Sequence, residues 1–377
     1  MAKCFKDQPG LYLHIPFCRS KCRYCHFYSE NASALEELFP AFLESLKGEI
    51  AYFKEFGFNF ETLYVGGGTP NSLSPSQLAS VLALIHENLN LSRVVEKTIE
   101  LNPEPLERHF IEVLNEFGFN RISLGVQSFV NSDLQTLGRT YNAQDISNTV
   151  DLLRSNGFHN INFDLIFAFK GQTIENFAFS LKKASEMNPT HISTYSMTFE
   201  EPALEDLESK DENLTIKMYK IRDKILRAHG YIRYEISSFS RPNFECIHNL
   251  KYWLRHYYIG LGPSASGFFL LEGREVRYTN PSSIRFHKEI PKTFEPLSEE
   301  EKLIEEIFLK IRTRWGWKAD KNFLETVVQK LKGLVTVKNN SLILTSKGVF
   351  VADKIAIKII ELYEDYKKRT EIQRLDF

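Results

Sequence analysis

Six short segments rich in strand-forming residues recur along the chain, each followed by a stretch of helical periodicity, and this alternation excludes most folds. The segments are residues 11–15, 62–65, 98–101, 121–126, 161–167 and 191–197. Between the first two, Phe39, Phe42, Leu43, Leu46, Ile50 and Phe53 repeat at spacings of three and four, giving one apolar helix face to lay on a parallel sheet. About six βα units fit before residue 235, so the fold class is α/β, and the expected architecture is a partial (β/α)6-type TIM-like barrel. A doubly wound open sheet is the alternative, because strand order is not written in the sequence. In a barrel, functional residues gather at the C-terminal ends of strands. The unusual residues do so here: Cys18 to Cys25 follow the first segment, Gly66 to Pro70 the second and Glu100 to Pro103 the third, while Gln127 follows the fourth and Asp164 lies within the fifth.

With 377 residues the chain has room for a large domain and a small one. The expected division is 1–235 for the barrel, 236–296 for a motif segment and linker punctuated by Pro281, Pro291 and Pro296, and 297–377 for a C-terminal domain. That last part opens with Ser298 as a helix N-cap before three glutamates, with Leu303, Ile304, Ile307, Phe308 and Ile311 on the apolar side. Residues 334–337 and 341–344 flank Lys338-Asn339-Asn340 as a hairpin, and a final helix starts at about 346. Helix, hairpin, helix reads as a small α+β winged-helix-like domain, with a lid or docking role set beside DNA binding. Lys+Arg 47 against Asp+Glu 48 leaves a net charge of -1, so no global pull toward nucleic acid or anionic lipid exists. The basic run Lys310-Ile311-Arg312-Thr313-Arg314-Trp315-Gly316 reads as a solvated face or as a local partner- or membrane-binding strip. Met1-Ala2-Lys3-Cys4 carries no apolar leader and no run of about 18 apolar residues follows, so a cytoplasmic protein is expected.

Three of five cysteines, Cys18, Cys22 and Cys25, fall in a C-x3-C-x2-C run, which suits metal binding in a reducing compartment better than disulfides; Cys4 has no partner in sequence. Iron–sulfur clusters normally take four cysteines, so three leave one iron open to a small molecule. Zinc completed by His14 or His26 is the alternative. The glycines of Val65-Gly66-Gly67-Gly68-Thr69-Pro70 serve either a tight turn or a ligand cradle. Glu100, Gln127, Arg139 and Asp164 add two acids, an amide and a cation, which suit hydroxyls and a carboxylate, though residues of these types taken singly are more often surface or helix-end residues than ligands.

The cysteine spacing with Tyr24 resembles the signature of the radical S-adenosylmethionine superfamily. The resemblance implies a 4Fe-4S cluster on Cys18, Cys22 and Cys25 whose open iron binds S-adenosylmethionine and can cleave it to a 5′-deoxyadenosyl radical. The blocks around Tyr12, Cys18, Gly66, Glu100, Gln127, Arg139 and Asp164, continuing through residues 191–195, 234–237 and 248–253, resemble the HemN-like family over nearly the whole chain. That family has an oxygen-independent coproporphyrinogen oxidase branch and a heme-chaperone branch. Phe27 stands where the oxidase carries a further cysteine, the leader before Tyr12 is short, and His248 to Trp253 reads H-N-x-x-Y-W, all as in the chaperone branch.

The resemblance then implies S-adenosylmethionine contacts from Tyr12, Phe27, Gly67, Gly68, Thr69, Glu100, Gln127, Arg139 and Asp164. It implies heme at His248 beside Tyr252 and Trp253, with Cys246 as an alternative thiolate ligand and a structural histidine as the plainer reading. Heme and acceptor hemoproteins of respiratory type are the implied partners, nucleic acid is not, and peripheral membrane contact and a homodimer stay open. No catalytic residue is implied; the alternative is a radical oxidase acting on coproporphyrinogen III or a related tetrapyrrole. After Asp164 the chain departs from the family, reading Ile166-Phe167-Ala168-Phe169-Lys170-Gly171-Gln172 where a Tyr-Gly-Leu-Pro turn before Gly-Gln is usual, with Lys170 in place of the proline.

Overall fold

The computed structural model describes residues 8–197, 209, 211–284 and 293–375, with side chains as far as residue 368; Cys4 and Pro291 fall outside them. At the centre lie six parallel strands, β1 (Gly10–Ile15), β2 (Thr62–Gly67), β3 (Glu96–Leu101), β4 (Arg121–Gln127), β5 (Ile161–Phe167) and β6 (His191–Ser196). They stand side by side in chain order, each paired in parallel with the next. A doubly wound sheet needs a reversal of that order, so the open-sheet alternative falls. Right-handed crossovers through an unreversed order put every connecting helix on one face, and the sheet curls away from them as a partial barrel.

The outer face is apolar. Leu11, Leu13, Ile15, Leu63, Val65, Ile122, Leu124, Val126, Phe163 and Leu165 are fully buried. They lie under α1 (Leu35–Lys54), α2 (Pro75–Asn88), α3 (Arg108–Glu116), α4 (Asn131–Thr136), α5 (Ala143–Ser155), α6 (Ile174–Glu186) and α7 (Glu212–Ala228). Phe42, Leu46, Ile50 and Phe53 of α1 face inward at the anticipated spacing. The intervening strand residues are polar: Tyr12, His14, Tyr64, Glu100, Arg121, Ser123, Asn162, Asp164, His191 and Ser193. Parallel strands covered on both faces ordinarily read as continuous apolar runs. A polar concave face is therefore the local signature of a hollow that holds something.

Much of the described part of the expected motif segment and linker, 236–296, is built into the sheet. β7 (Ile232–Arg233) and β8 (Ser238–Ser240) continue the sheet antiparallel beyond β6. After α8 (Ile247–Trp253), β9 (Tyr258–Leu261) lies parallel to β1, and β10 (Ser266–Leu271), β11 (Arg274–Thr279) and β12 (Glu295–Pro296) follow antiparallel. The order is β12-β11-β10-β9-β1-β2-β3-β4-β5-β6-β8-β7. The expected boundary at 235 dissolves because the β9–β1 pairing joins distant parts of the chain and leaves no local trace.

The C-terminal part has its own apolar core of Ile307, Ile311, Trp317, Phe323, Leu324, Val327, Leu342, Ile355 and Ile359. It comprises α9 (Glu299–Lys310), β13 (Trp317–Lys318), α10 (Lys321–Lys330), β14 (Val335–Lys338), β15 (Ser341–Leu344) and α11 (Ala352–Leu375). Ser298 and Glu301 form a capping box at α9. Asn339 and Asn340, with φ of 50° and 59°, give the hairpin the paired left-handed residues of a type I′ turn. A 3₁₀ turn at Gly348–Val351 delays the last helix to Ala352. Three ion pairs help fasten this part to the barrel: Glu305 receives Arg255 at 2.9 Å and Arg277 at 2.5 Å, and Arg314 meets Glu245 at 2.6 Å. Among the described residues no helix is long and apolar enough to cross a membrane.

Candidate functional site

The cysteines sit on a loop tied at both ends. Phe17–Cys18 pairs in parallel with Glu30–Asn31, and the Glu30 amide donates to the Pro16 carbonyl at 2.7 Å. His14 reaches the same loop from β1: its Nε2 donates to the Tyr28 carbonyl at 2.8 Å and its Nδ1 accepts from the Tyr12 hydroxyl at 3.1 Å. Burial pushes its pKa down, consistent with that neutral tautomer. His14 is thus spoken for, and His26 is exposed with its ring against Phe27, centroids 4.8 Å apart. Zinc draws four donors within about 2.0–2.3 Å of one centre. Among the described residues no group of three or more cysteine, histidine or acidic side chains is arranged to hold a metal ion. Cys18, Cys22 and Cys25 instead border a common cavity of 420 Å³, with burial raising the pKa of the last two.

The glycine run forms the opposite wall. Gly68 N–H donates to the Ile15 carbonyl at 2.8 Å, Thr69 N–H to the Phe17 carbonyl at 2.7 Å, and Thr69 Oγ1 stands 3.3 Å from Cys18 Sγ. Gly67 adopts φ +112°, open to glycine alone, and a side chain there would meet the His14 ring. The run is therefore a clamp on the cysteine loop; the protein's own backbone demands the glycines.

On the floor, Glu100 accepts from the Tyr64 hydroxyl at 2.7 Å and from Gly67 N–H at 3.2 Å, and burial pushes its pKa up to about 7. Asp164 accepts from Ser123 at 2.8 Å and Asn162 at 2.9 Å, and burial raises it too. Gln127 ends β4 at φ 63° beyond a register shift, a strained placement of the kind found where a side chain must be aimed. Arg139 gives Nη1 to Asn102 at 2.8 Å and Nη2 to the Tyr24 hydroxyl, lying over the Tyr24 and Tyr141 rings, while its buried Nε has no partner. In the family-departing loop, Ala168 turns at φ 61° and the Gln172 amide accepts from its N–H at 2.9 Å, a closure that needs no proline.

Arg121 was not anticipated. It is 1% exposed on the same floor, and its Nε and Nη1 find no acceptor. The strict alternation of Arg121-Ile122-Ser123-Leu124 was the signal that could have marked it. The floor thus places buried guanidinium donors without a protein acceptor in the same hollow as a carboxyl that burial holds near neutrality.

The first cavity collects Cys18, Cys22, Cys25, Phe27, Gly67, Gly68, Thr69, Glu100, Gln127, Arg139 and Asp164. Tyr12 and His248 border a second, of 490 Å³, rich in tyrosine (Tyr28, Tyr64, Tyr195, Tyr252, Tyr258) and sharing Phe27, Tyr64, Glu100 and Tyr195 with the first. His248 itself is fully buried. Its Nδ1 pairs with Thr62 Oγ1 and its Nε2 with the Tyr252 hydroxyl, both at 2.7 Å, and burial takes its pKa down to about 3. A metal would need one of those nitrogens released. Cys246 is buried against Glu96, its thiol pushed up by burial.

Residues 12–184 match the Radical SAM superfamily. Heme chaperone HemW of Lactococcus lactis is 37% identical over 339 residues, 85% of this chain and 86% of its own. The chain belongs to the HemW family of radical SAM proteins. HemW of Bacillus subtilis is 32% identical over 340 residues, covering 86% of this chain and 88% of its own. The architecture is also that of coproporphyrinogen III oxidase (HemN) from Escherichia coli, with a TM-score of 0.78 over 95% of this chain and 91% of that one. At 23% identity that likeness is one of fold.

Proposed function

We propose that this chain is a cytoplasmic heme chaperone that binds heme and hands it to respiratory hemoproteins, carrying a 4Fe-4S cluster and S-adenosylmethionine. The observation that carries the reading is the convergence of three cysteines and a complementary polar floor on one hollow that opens into a tyrosine-lined second one, in a member of the HemW family. Cys18, Cys22 and Cys25 hold the cluster. Glu100 takes the amino end of S-adenosylmethionine, the free Arg139 Nε its carboxylate, and Gln127 and Asp164 its hydroxyls. Gly67, Gly68 and Thr69 fix the loop above it, and Tyr12 and Phe27 line the way to the second cavity. Together the cluster and S-adenosylmethionine supply one-electron chemistry.

The test is an anaerobic titration of the reconstituted protein with heme, followed by transfer to an apo-hemoprotein. The expected result is a Soret band, with transfer, and an iron–sulfur absorbance that disappears in Cys18→Ser, Cys22→Ser or Cys25→Ser. A cluster without heme binding, together with protoporphyrinogen formed from coproporphyrinogen III, would replace this reading by the oxidase one. Because both His248 nitrogens are committed, His248→Ala is expected to lower stability by about 1–3 kcal/mol, through the stranded Thr62 and Tyr252 hydroxyls, and to change heme affinity less than threefold. A tenfold loss of heme in a folded variant would make His248 the ligand.

Glu100 predicts a pH dependence. Its folded pKa of about 7 lies above the ordinary carboxyl value, so the folded state binds more protons between roughly pH 4.5 and 7 and stability falls as pH rises through that window. In the ligand-free protein, Glu100→Gln is expected to remove about 2 kcal/mol of that fall, read as urea unfolding at pH 5 and pH 8. Equal slopes in the two proteins would contradict it.

A further inference from the structure

A third cavity, of 430 Å³, lies between the barrel and the C-terminal part, well away from the cysteines. Four arginines point to it from two sides: Arg227 from the end of α7 and Arg233 from β7, Arg312 and Arg314 from the turn after α9. The basic run after α9 is therefore folded into a cleft: the side chains of Arg312 and Arg314 are 17% and 32% exposed.

The acids nearby position these arginines without filling the space between them. Asp223 holds Arg233 at 2.9 Å, Glu245 holds Arg314 at 2.6 Å and Asp353 holds Arg312, each occupying part of a five-donor fork. Arg227 is exposed, and among the described residues its side chain makes no hydrogen bond or ion pair. Its place in the last turn of α7 accounts for a cation there, yet not for Arg233 beside it or for the two guanidinium groups, Arg312 and Arg314, that come from another part of the chain. Burial lowers the pKa of Arg233, Asp223 and Glu235 oppose that shift, and the neighbouring charges of Arg222 and Arg227 add to it. The one acid on the cavity wall, Glu235, is turned to its own Ser237 amide at 2.8 Å.

We infer that this cleft binds a phosphorylated small molecule. Guanidinium forks match phosphate oxygens edge to edge, and forks arriving from two directions suit a group with several oxygens better than one carboxylate, which a single fork satisfies. Ile343, Leu344 and Val349 give the organic part of the ligand an apolar wall, and the volume is that of a small-molecule site. Because two arginines come from each side, the bound anion ties the C-terminal part to the barrel.

The experiment uses the full chain with pyrophosphate as probe, at constant ionic strength made up with chloride, following calorimetric binding and thermal unfolding. Saturable binding with a rise in Tm is expected, weakened at least tenfold in Arg227→Gln/Arg312→Gln. Those positions are chosen because among the described residues the Arg227 side chain has no hydrogen-bond or ion-pair partner, and Arg312 leaves behind only the mostly exposed Asp353 and the Phe308 carbonyl, so the ligand-free variant should lose little in Tm. Arg227→Lys/Arg312→Lys should recover part of the affinity. No saturable binding, equal binding by the glutamine variant, or citrate binding as tightly as pyrophosphate would each overturn the assignment.

Discussion

One added methyl group at Gly68 is expected to unseat the cysteine loop. A Cβ there would lie 2.5 Å from the Phe17 carbonyl oxygen and 3.0 Å from the Phe17 nitrogen, and both are backbone atoms with no rotamer to yield. Relief requires moving the strand that carries Cys18 away from Thr69, breaking the 2.7 Å and 2.8 Å hydrogen bonds that hold them together. Overpacking of this kind with lost hydrogen bonds costs about 2–4 kcal/mol. In Gly68→Ala we expect that loss in urea unfolding and a severalfold drop in iron and sulfide bound after reconstitution, although no ligand side chain has changed. Gly57→Ala is the control, since nothing stands within 4 Å of a Cβ there and only its φ of +61° is strained. If Gly68→Ala holds a full cluster with wild-type stability, the clamp is not what positions the loop.

The second large effect lies beneath the barrel. Lys251, within the H-N-x-x-Y-W motif, is fully buried, forming an ion pair with Glu61 and donating to the Gln8 carbonyl at 2.7 Å. Removing one member of such a pair strands a charge in the interior, at about 3–5 kcal/mol, whereas replacing both with apolar groups costs far less. Lys251→Met and Glu61→Leu should each lose that amount in urea unfolding. The double variant should lose less than either, giving a coupling energy of about 2 kcal/mol or more in the cycle. Single losses under 1 kcal/mol would show that the pair contributes nothing. The same motif residues that invite a ligand reading thus have structural work: Lys251 anchors Glu61, His248 anchors Thr62, and the α8 amides of Ile247 and His248 donate to Glu96 at 2.9 Å.

What the sequence disclosed was what depends on near neighbours. Strand positions followed from β-formers at regular intervals, α1 from its three-and-four spacing, and the Ser298 cap and the Asn339-Asn340 turn from residues whose chemistry is local. The cysteine spacing and the order of Glu100, Gln127, Arg139 and Asp164 pointed to one cavity because parallel strands in chain order bring their ends together. Hidden were the features set by distant pairing. β9 beside β1 turned a supposed linker into sheet, and α10, whose Thr326-Val327-Val328 is β-branched, gave no clear helical signal. Arg121 was passed over although its polar alternation was visible, because an arginine inside a strand is ordinarily read as facing water.

The unreversed strand order has one more result. A closed barrel has its radius fixed by strand number and stagger, so its interior is as rigid as its hydrogen-bond ladder. Among the described residues the ladder ends at β12 on one side and β7 on the other, with no strand pairing between them. The curvature of the sheet is then held by side chains and helices alone, and the hollow can widen or narrow by bending, with every strand pair intact.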